Sequence, residues 1–69
     1  MFNSALLEYE MKIRDISQDD MCSALKISRS AFYRKRNGIS EFTQSEMQAI
    51  GEMLGQDAVI RIFFGERVS

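Results

Sequence analysis

Hydrophobic positions along this chain fall into short blocks whose three- and four-residue spacing is typical of amphipathic helices. Polar residues that favour helix starts stand just before each block. The predicted helices cover residues 4–13, 18–25, 29–36 and 44–54. Because the connections between them are short, we expect a compact all-α domain.

The predicted helix starts carry capping residues. Ser17 with Asp20 three residues later, and Thr43 with Glu46, form capping boxes, in which the hydroxyl and carboxylate satisfy free backbone N–H groups. Ser28 is the expected N-cap of the third helix, which the pair Asn37-Gly38 ends.

The first and fifth segments are less regular. Asn3 or Ser4 can cap the first helix, whose mostly apolar stripe comprises Leu6, Leu7, Tyr9, Glu10 and Ile13. The fifth segment, 58–64, is interpreted as a helix with Asp57 as its N-cap, although its β-branched and aromatic content leaves a strand possible. Its apolar residues are Val59, Ile60, Phe63 and Phe64.

Composition limits the class of protein. A chain of 69 residues makes a single domain, 1–69, and its 45% hydrophobic content must supply the core, since one cysteine cannot form an internal disulfide. With no histidine and only Cys22 as a thiol, we expect no zinc site and no cofactor. The sequence contains no signal-peptide pattern and no long apolar run, so we expect a cytoplasmic protein without membrane contact.

Charge is distributed unevenly along a chain whose formal net charge is only -1. Five of the nine basic residues lie between positions 26 and 36, with no acid among them, whereas 15–20 is acidic. Phosphate binding depends on the local field within roughly 8–10 Å, so a nearly neutral chain can still bind DNA. A basic helix of this kind is what a reader of the DNA major groove requires.

The second and third predicted helices have the features of a helix-turn-helix pair. Cys22 or Ala24 can supply the small residue at the crossing, and the turn falls at Lys26-Ile27. The apolar residues of the crossing are Met21, Leu25, Ile27 and Phe32. This arrangement leaves the third helix free to expose Arg29, Ser30, Tyr33 and Arg34.

In these residues the chain resembles the Cro/repressor-type helix-turn-helix family (XRE-like) of phage and bacterial regulators. The matching segments are 17–18, 24–30, 32–38, 41–43 and 62–64. The resemblance implies a five-helix lambda-repressor-like domain with the helix-turn-helix formed by helices 2 and 3. The family usually has Gly where Lys26 stands and often Ala where Cys22 stands, so Lys26 must adopt either a helical conformation or a strained one.

The resemblance also implies roles for individual residues. Arg29, Ser30 and Arg34 would face base edges, where Arg can donate two parallel hydrogen bonds to guanine. Gln18 would contact a DNA phosphate and support the third helix, which reads the bases. Further contacts to sugar or phosphate are expected from Ser28, Tyr33, Arg36 and Asn37.

Each candidate has a simpler structural alternative. Arg29 can form a surface salt bridge to Asp19 or Asp20, and Tyr33 can pack against the fourth helix. Lys35 is expected to cover the core with its aliphatic stem, and Cys22 to act as a small buried apolar residue. Phe63 and Phe64, with Val59 and Ile60, form either a homodimer seam or simple core closure.

We therefore expect a sequence-specific regulator that binds a double-stranded DNA operator as a homodimer and blocks access to it. The origin would be a phage or mobile element, and no small-molecule ligand is expected. The alternative is an antirepressor or modulator that binds another regulator through its C-terminal apolar face. An enzyme is not expected, because the chain has no histidine and no phosphate-binding glycine loop.

Overall fold

In the computed structural model, which describes residues 2–65, the chain forms five α-helices. Their bounds are α1 Ser4–Ile13, α2 Gln18–Leu25, α3 Arg29–Arg36, α4 Gln44–Leu54 and α5 Gln56–Phe64. The first four coincide with the predicted helices. The fifth segment is a helix and not a strand, so that ambiguity is resolved.

Side-chain caps fix the starts of the first, second and fourth helices, as predicted. Leu6 N–H donates to Asn3 Oδ1 at 3.0 Å, so Asn3 and not Ser4 is the N-cap of α1. Both predicted capping boxes are complete. In each, the hydroxyl accepts from the backbone N–H three residues on, and the carboxylate there accepts from the N-cap N–H. These bonds satisfy donors that a helix start leaves free.

The start of α5 corrects a prediction. Asp57 is not its N-cap: the helix begins at Gln56, and Gly55 occupies the cap position without a side-chain hydrogen bond. Gly55 has φ +99°, a conformation that glycine adopts without the steric cost of a Cβ. A single residue thus separates α4 from α5, and Asp57 instead lies in the first helical turn, where its charge is favourable.

The core lies where α4 packs against α2 and α5, with α1 against α5 and α3 against α2. Its fully buried large side chains are Leu7, Met21, Phe32, Ile50 and Ile62. Asn3 N–H also donates to the Ile62 carbonyl at 2.7 Å, which fixes the start of α1 on α5. Every one of the five helices except α3 contributes more than one buried residue, so α3 is the helix least committed to the core.

The predicted apolar stripe of α1 is partly wrong. The buried face consists of Leu7, Glu10 and Met11, whose spacing of three and four residues places them on one side of the helix. Tyr9 and Ile13 lie off this face, and each is 56% exposed. Leu7 and the buried charge of Glu10 were placed correctly in the stripe, whereas Met11 was left out of it.

That buried charge, Glu10, joins α1 to α5. Its side chain contacts Arg14 Nη1 through Oε1, and Arg61 Nη2 lies 3.1 Å from Oε2. Burial alone raises the pKa of the Glu10 carboxyl, but the hydrogen bonds from Arg61 and Arg14 outweigh burial and hold that pKa below its ordinary value. Both arginines are partly exposed, so the cluster sits at the edge of the core.

Candidate nucleic-acid interface

The connection between α2 and α3 is a tight turn at Lys26. This residue has φ +60° and ψ +43°, the left-handed conformation, and its N–H donates to the Ser23 carbonyl. Ile27 N–H donates to the Cys22 carbonyl, and Ser28 caps α3 by accepting from Ala31 N–H at 3.1 Å. Of the two conformations open to Lys26 from the sequence, the structure has the strained one.

Cys22 is the small residue at the contact between the two helices. It is buried, and its Sγ lies 3.9 Å from the Ser28 carbonyl oxygen, whereas Ala24 is exposed. Burial raises the pKa of the Cys22 thiol. Met21, Leu25 and Phe32 are buried around it as predicted. The inner faces of α2 and α3 are thereby fixed, and their starts are left at the surface.

The exposed first residue of α2 and the outer face of α3 form one shallow groove of about 560 Å³. Its lining residues are Gln18, Arg29, Ser30, Tyr33 and Arg34. All of them are exposed, and all had been singled out from the sequence as DNA contacts. The first residue of α2 and one face of α3 therefore meet at a single surface.

Arg29 forms the salt bridge considered for it, with Asp19 and not with Asp20. Its Nε lies 3.0 Å from Asp19 Oδ1, and the two side chains are 70% and 75% exposed. Asp20 is occupied by the Ser17 cap. Arg34, farther along α3, has no ion-pair partner among the described residues, so its guanidinium is free to meet a ligand.

Tyr33 lies in the groove and is 56% exposed. The centre of its ring lies 6.0 Å from the Arg36 guanidinium carbon. Its carbonyl accepts a hydrogen bond from Asn37 Nδ2 at 2.7 Å, which fixes the end of α3. The hydroxyl is left for the surface.

Three predicted backbone contacts lie outside the groove. Ser28 and Asn37 are exposed at the two ends of α3, where each makes a capping bond. Arg36 turns toward α1: its Nη1 lies 2.8 Å from Glu8 Oε2, and its side chain is only 19% exposed. No sequence pattern indicates this pair, because its members lie 28 positions apart.

Lys35 joins α3 to α4 through its ammonium group, a contact that differs from the expected cover of the core by its aliphatic stem. Its Nζ lies 3.0 Å from Glu46 Oε1 and donates to the Glu41 carbonyl at 3.1 Å. Burial raises the pKa of the Glu46 carboxyl, but hydrogen bonds from Thr43 and Lys35 outweigh burial and lower that pKa overall. The basic cluster seen in the sequence is thus divided between structural pairs and the groove.

The predicted dimer seam is also divided. Val59 lies in the core at 7% exposure, and Phe63 is half-buried, with its ring 5.3 Å from both Phe2 and Phe42. Ile60 and Phe64 remain at the surface, 52% and 66% exposed. Any apolar contact with a partner through this helix would therefore rest on those two residues.

No group of three or more Cys, Asp or Glu side chains within residues 2–65 is placed to hold a metal ion. Over the same residues, every helix is too short or too polar to cross a membrane. Comparison of the chain with models of protein families, with curated proteins and with solved structures finds no match.

Proposed function

We propose that this protein is a sequence-specific regulator that binds double-stranded DNA, with α2 and α3 acting as a helix-turn-helix and α3 entering the major groove. The observation that carries the proposal is the groove that Gln18, Arg29, Ser30, Tyr33 and Arg34 line together. Residues from the first turn of α2 and from the outer face of α3 converge there. Such a pairing suits a helix that reads bases beside a second helix that holds phosphate.

In this proposal the role of each groove residue follows from the chemistry of its side chain. Arg29 and Arg34 carry the donors for guanine, and Ser30 can donate to or accept from either base of a pair. Gln18 is the first residue of α2, and its exposed side-chain amide can donate a hydrogen bond to a phosphate. The phenolic hydroxyl of Tyr33 can donate a hydrogen bond to the DNA backbone. Ser28 and Asn37 would touch sugar or phosphate only at the edges of the contact.

Arg36 is the weakest of the predicted DNA contacts. Its guanidinium lies 2.8 Å from Glu8 and 5.9 Å from the centre of the Phe32 ring, so binding phosphate would require it to leave both. We therefore assign it first to the support of α3 on α1. Any contribution to DNA binding would come from its long-range charge.

The protein would act as a homodimer on two half-sites about 34 Å apart, since one small domain reads too few base pairs for useful selectivity. Ile60 and Phe64, both exposed on α5, are the proposed apolar contact. Bound in this way, the protein would regulate by occupying its operator. We propose no catalytic role, because the single thiol is buried with a raised pKa.

The test is selection from a randomised pool of duplex DNA, followed by affinity measurements at several salt concentrations. We expect enrichment of a short motif, which Arg29→Ala and Arg34→Ala each lose at one position. Lys12→Ala removes the same charge from an exposed position on α1 outside the groove, so it should leave the motif unchanged. Binding without any enriched motif, and with a steep salt dependence, would contradict the proposal.

A second candidate function is supported by the exposed pair Ile60 and Phe64. An antirepressor or modulator with this fold would use that face to bind another regulator protein. Replacing Arg29 and Arg34 distinguishes the two functions. A DNA-binding regulator would lose its operator binding, whereas an antirepressor or modulator would keep its partner binding through α5.

A further inference from the structure

We propose that Asp19 positions Arg29 so that it reads a guanine with its two terminal nitrogens, which makes Asp19 a specificity-determining residue. This inference rests on the proposed DNA-binding function and deepens it by naming one base. The observation behind it is the ion pair at the mouth of the groove, where Asp19 Oδ1 lies 3.0 Å from Arg29 Nε.

The two residues are brought together by the turn at Lys26. Asp19 is the second residue of α2 and Arg29 is the first residue of α3, so both lie at helix starts. The neighbouring carboxylate, Asp20, accepts from Ser17 N–H and is not available to Arg29. Arg29 makes no other ion pair among the described residues. Among the described residues, Asp19 is therefore the carboxylate that lies against this guanidinium, and it lies on the Nε side.

The edge that stays open is the one that suits guanine. A guanidinium has five N–H donors, and it can approach a base either with Nε and one terminal nitrogen or with both terminal nitrogens. Asp19 stands on the Nε side, which leaves the end carrying Nη1 and Nη2 free. Two parallel donors at that end match O6 and N7 of guanine in the major groove.

The sign of the charge argues for orientation over simple attraction. If Arg29 served only to bind phosphate, an exposed carboxylate beside it would oppose binding, because the pair has no net charge and DNA is a polyanion. An acid at this position therefore lowers general affinity for DNA. Its charge suits the first turn of α2, as that of Asp57 suits the first turn of α5, and beside Arg29 it also gives the guanidinium a fixed direction.

The test is the Asp19→Asn variant, which keeps the shape of the side chain and removes its charge. Asp57→Asn is a matched control, because Asp57 is likewise preceded by glutamine and is likewise the second residue of its helix, α5. Both variants, the parent protein and Arg29→Lys are taken through the same randomised duplex pool. Relative affinity is then measured for the best site and for sites changed at one base pair.

For the parent protein we expect a preference of roughly 5- to 150-fold for guanine at one position, which Arg29→Lys reduces because an ammonium group lacks the rigid fork of donors. Asp19→Asn should lower that preference at least about threefold while it raises affinity for unrelated DNA. Asp57→Asn should change neither quantity. A thermal melt accompanies each variant, since a purely structural role for Asp19 would lower Tm and weaken all sites equally.

The outcomes separate this inference from the function on which it rests. An enriched motif whose guanine preference is the same in Asp19→Asn would overturn the role of Asp19 and leave DNA reading intact. A motif in which Arg29→Ala weakens every sequence evenly would identify Arg29 as a phosphate contact, and would also overturn it. The absence of any enriched motif for the parent protein would remove both proposals.

Discussion

The left-handed conformation of Lys26 leads to a prediction about stability: Lys26→Gly should make the protein more stable. Lys26 has φ +60° at the turn between α2 and α3, a region in which the Cβ of an L-residue approaches backbone oxygen. The side chain itself is exposed and forms no ion pair with any described residue. Removing it therefore relieves strain without removing an ion pair.

The size of the effect is the difference between two opposing terms. Relief of the left-handed strain contributes about 1–2 kcal/mol. The greater freedom of glycine in the unfolded chain costs about 0.4–1 kcal/mol. The free energy of unfolding should therefore rise by about 0.8 kcal/mol, which for a domain of this size corresponds to an increase in Tm of about 3–6 °C.

The assay is urea and thermal unfolding followed by circular dichroism, with Lys26→Ala as the control. Alanine removes the charge and the long side chain but keeps the Cβ, so Tm should stay close to that of the parent protein. Equal Tm values for the glycine and alanine variants, or a lower value for glycine, would refute the strain argument.

Three further predictions concern a carboxyl cluster, the end of α5 and the thiol. Because the folded pKa of Glu10 is held below its ordinary value of 4.5, its contribution to stability should be fully present above about that pH and be lost as pH falls through the folded pKa. In a series of melts at different pH, Glu10→Gln should reduce this loss of stability in acid, and Glu46→Gln should do so independently. Phe63→Ala should lower the free energy of unfolding by about 1–3 kcal/mol, since the Phe63 ring packs between two other rings. Phe64→Ala should change that free energy by less than about 0.5 kcal/mol and should reduce any self-association measured by sedimentation. Cys22, buried at 6% exposure, should react with a thiol reagent only when the domain opens, so its labelling rate should equal the rate for an exposed thiol multiplied by the fraction of open molecules. Rapid labelling under native conditions would contradict the buried position of Cys22.

The features that could be predicted from the sequence are those whose physical cause is local. A capping box needs only residues three apart, so Ser17 with Asp20 and Thr43 with Glu46 located two helix starts correctly. The predicted stripe of α1 was right at Leu7 and Glu10, but it included the exposed Tyr9 and Ile13 and left out the buried Met11. Apolar side chains stand on more than one side of this short helix, so periodicity within ten residues did not show which of them faces the core.

The start of α5 failed for a different reason. Asp57 has the right chemistry for a cap, but Gly55 can adopt φ +99°, and this allows the chain to begin a new helix immediately after α4. Backbone freedom decided the boundary where side-chain preference had suggested a later one. On this helix Val59 and Ile62 are buried, and Phe64 is exposed.

The basic segment 26–36 shows how a count of charges differs from a surface. Lys35 is bound to Glu46 and Arg36 to Glu8, so two of its five cations serve to hold α3 on its neighbours. The groove retains Arg29 and Arg34, and Asp19 offsets one of them. A surface with so little net charge would hold DNA weakly through attraction alone, because that affinity grows with the number of phosphates neutralised. If the protein does bind DNA, its affinity must therefore depend on directed hydrogen bonds, and these are the contacts that distinguish one sequence from another.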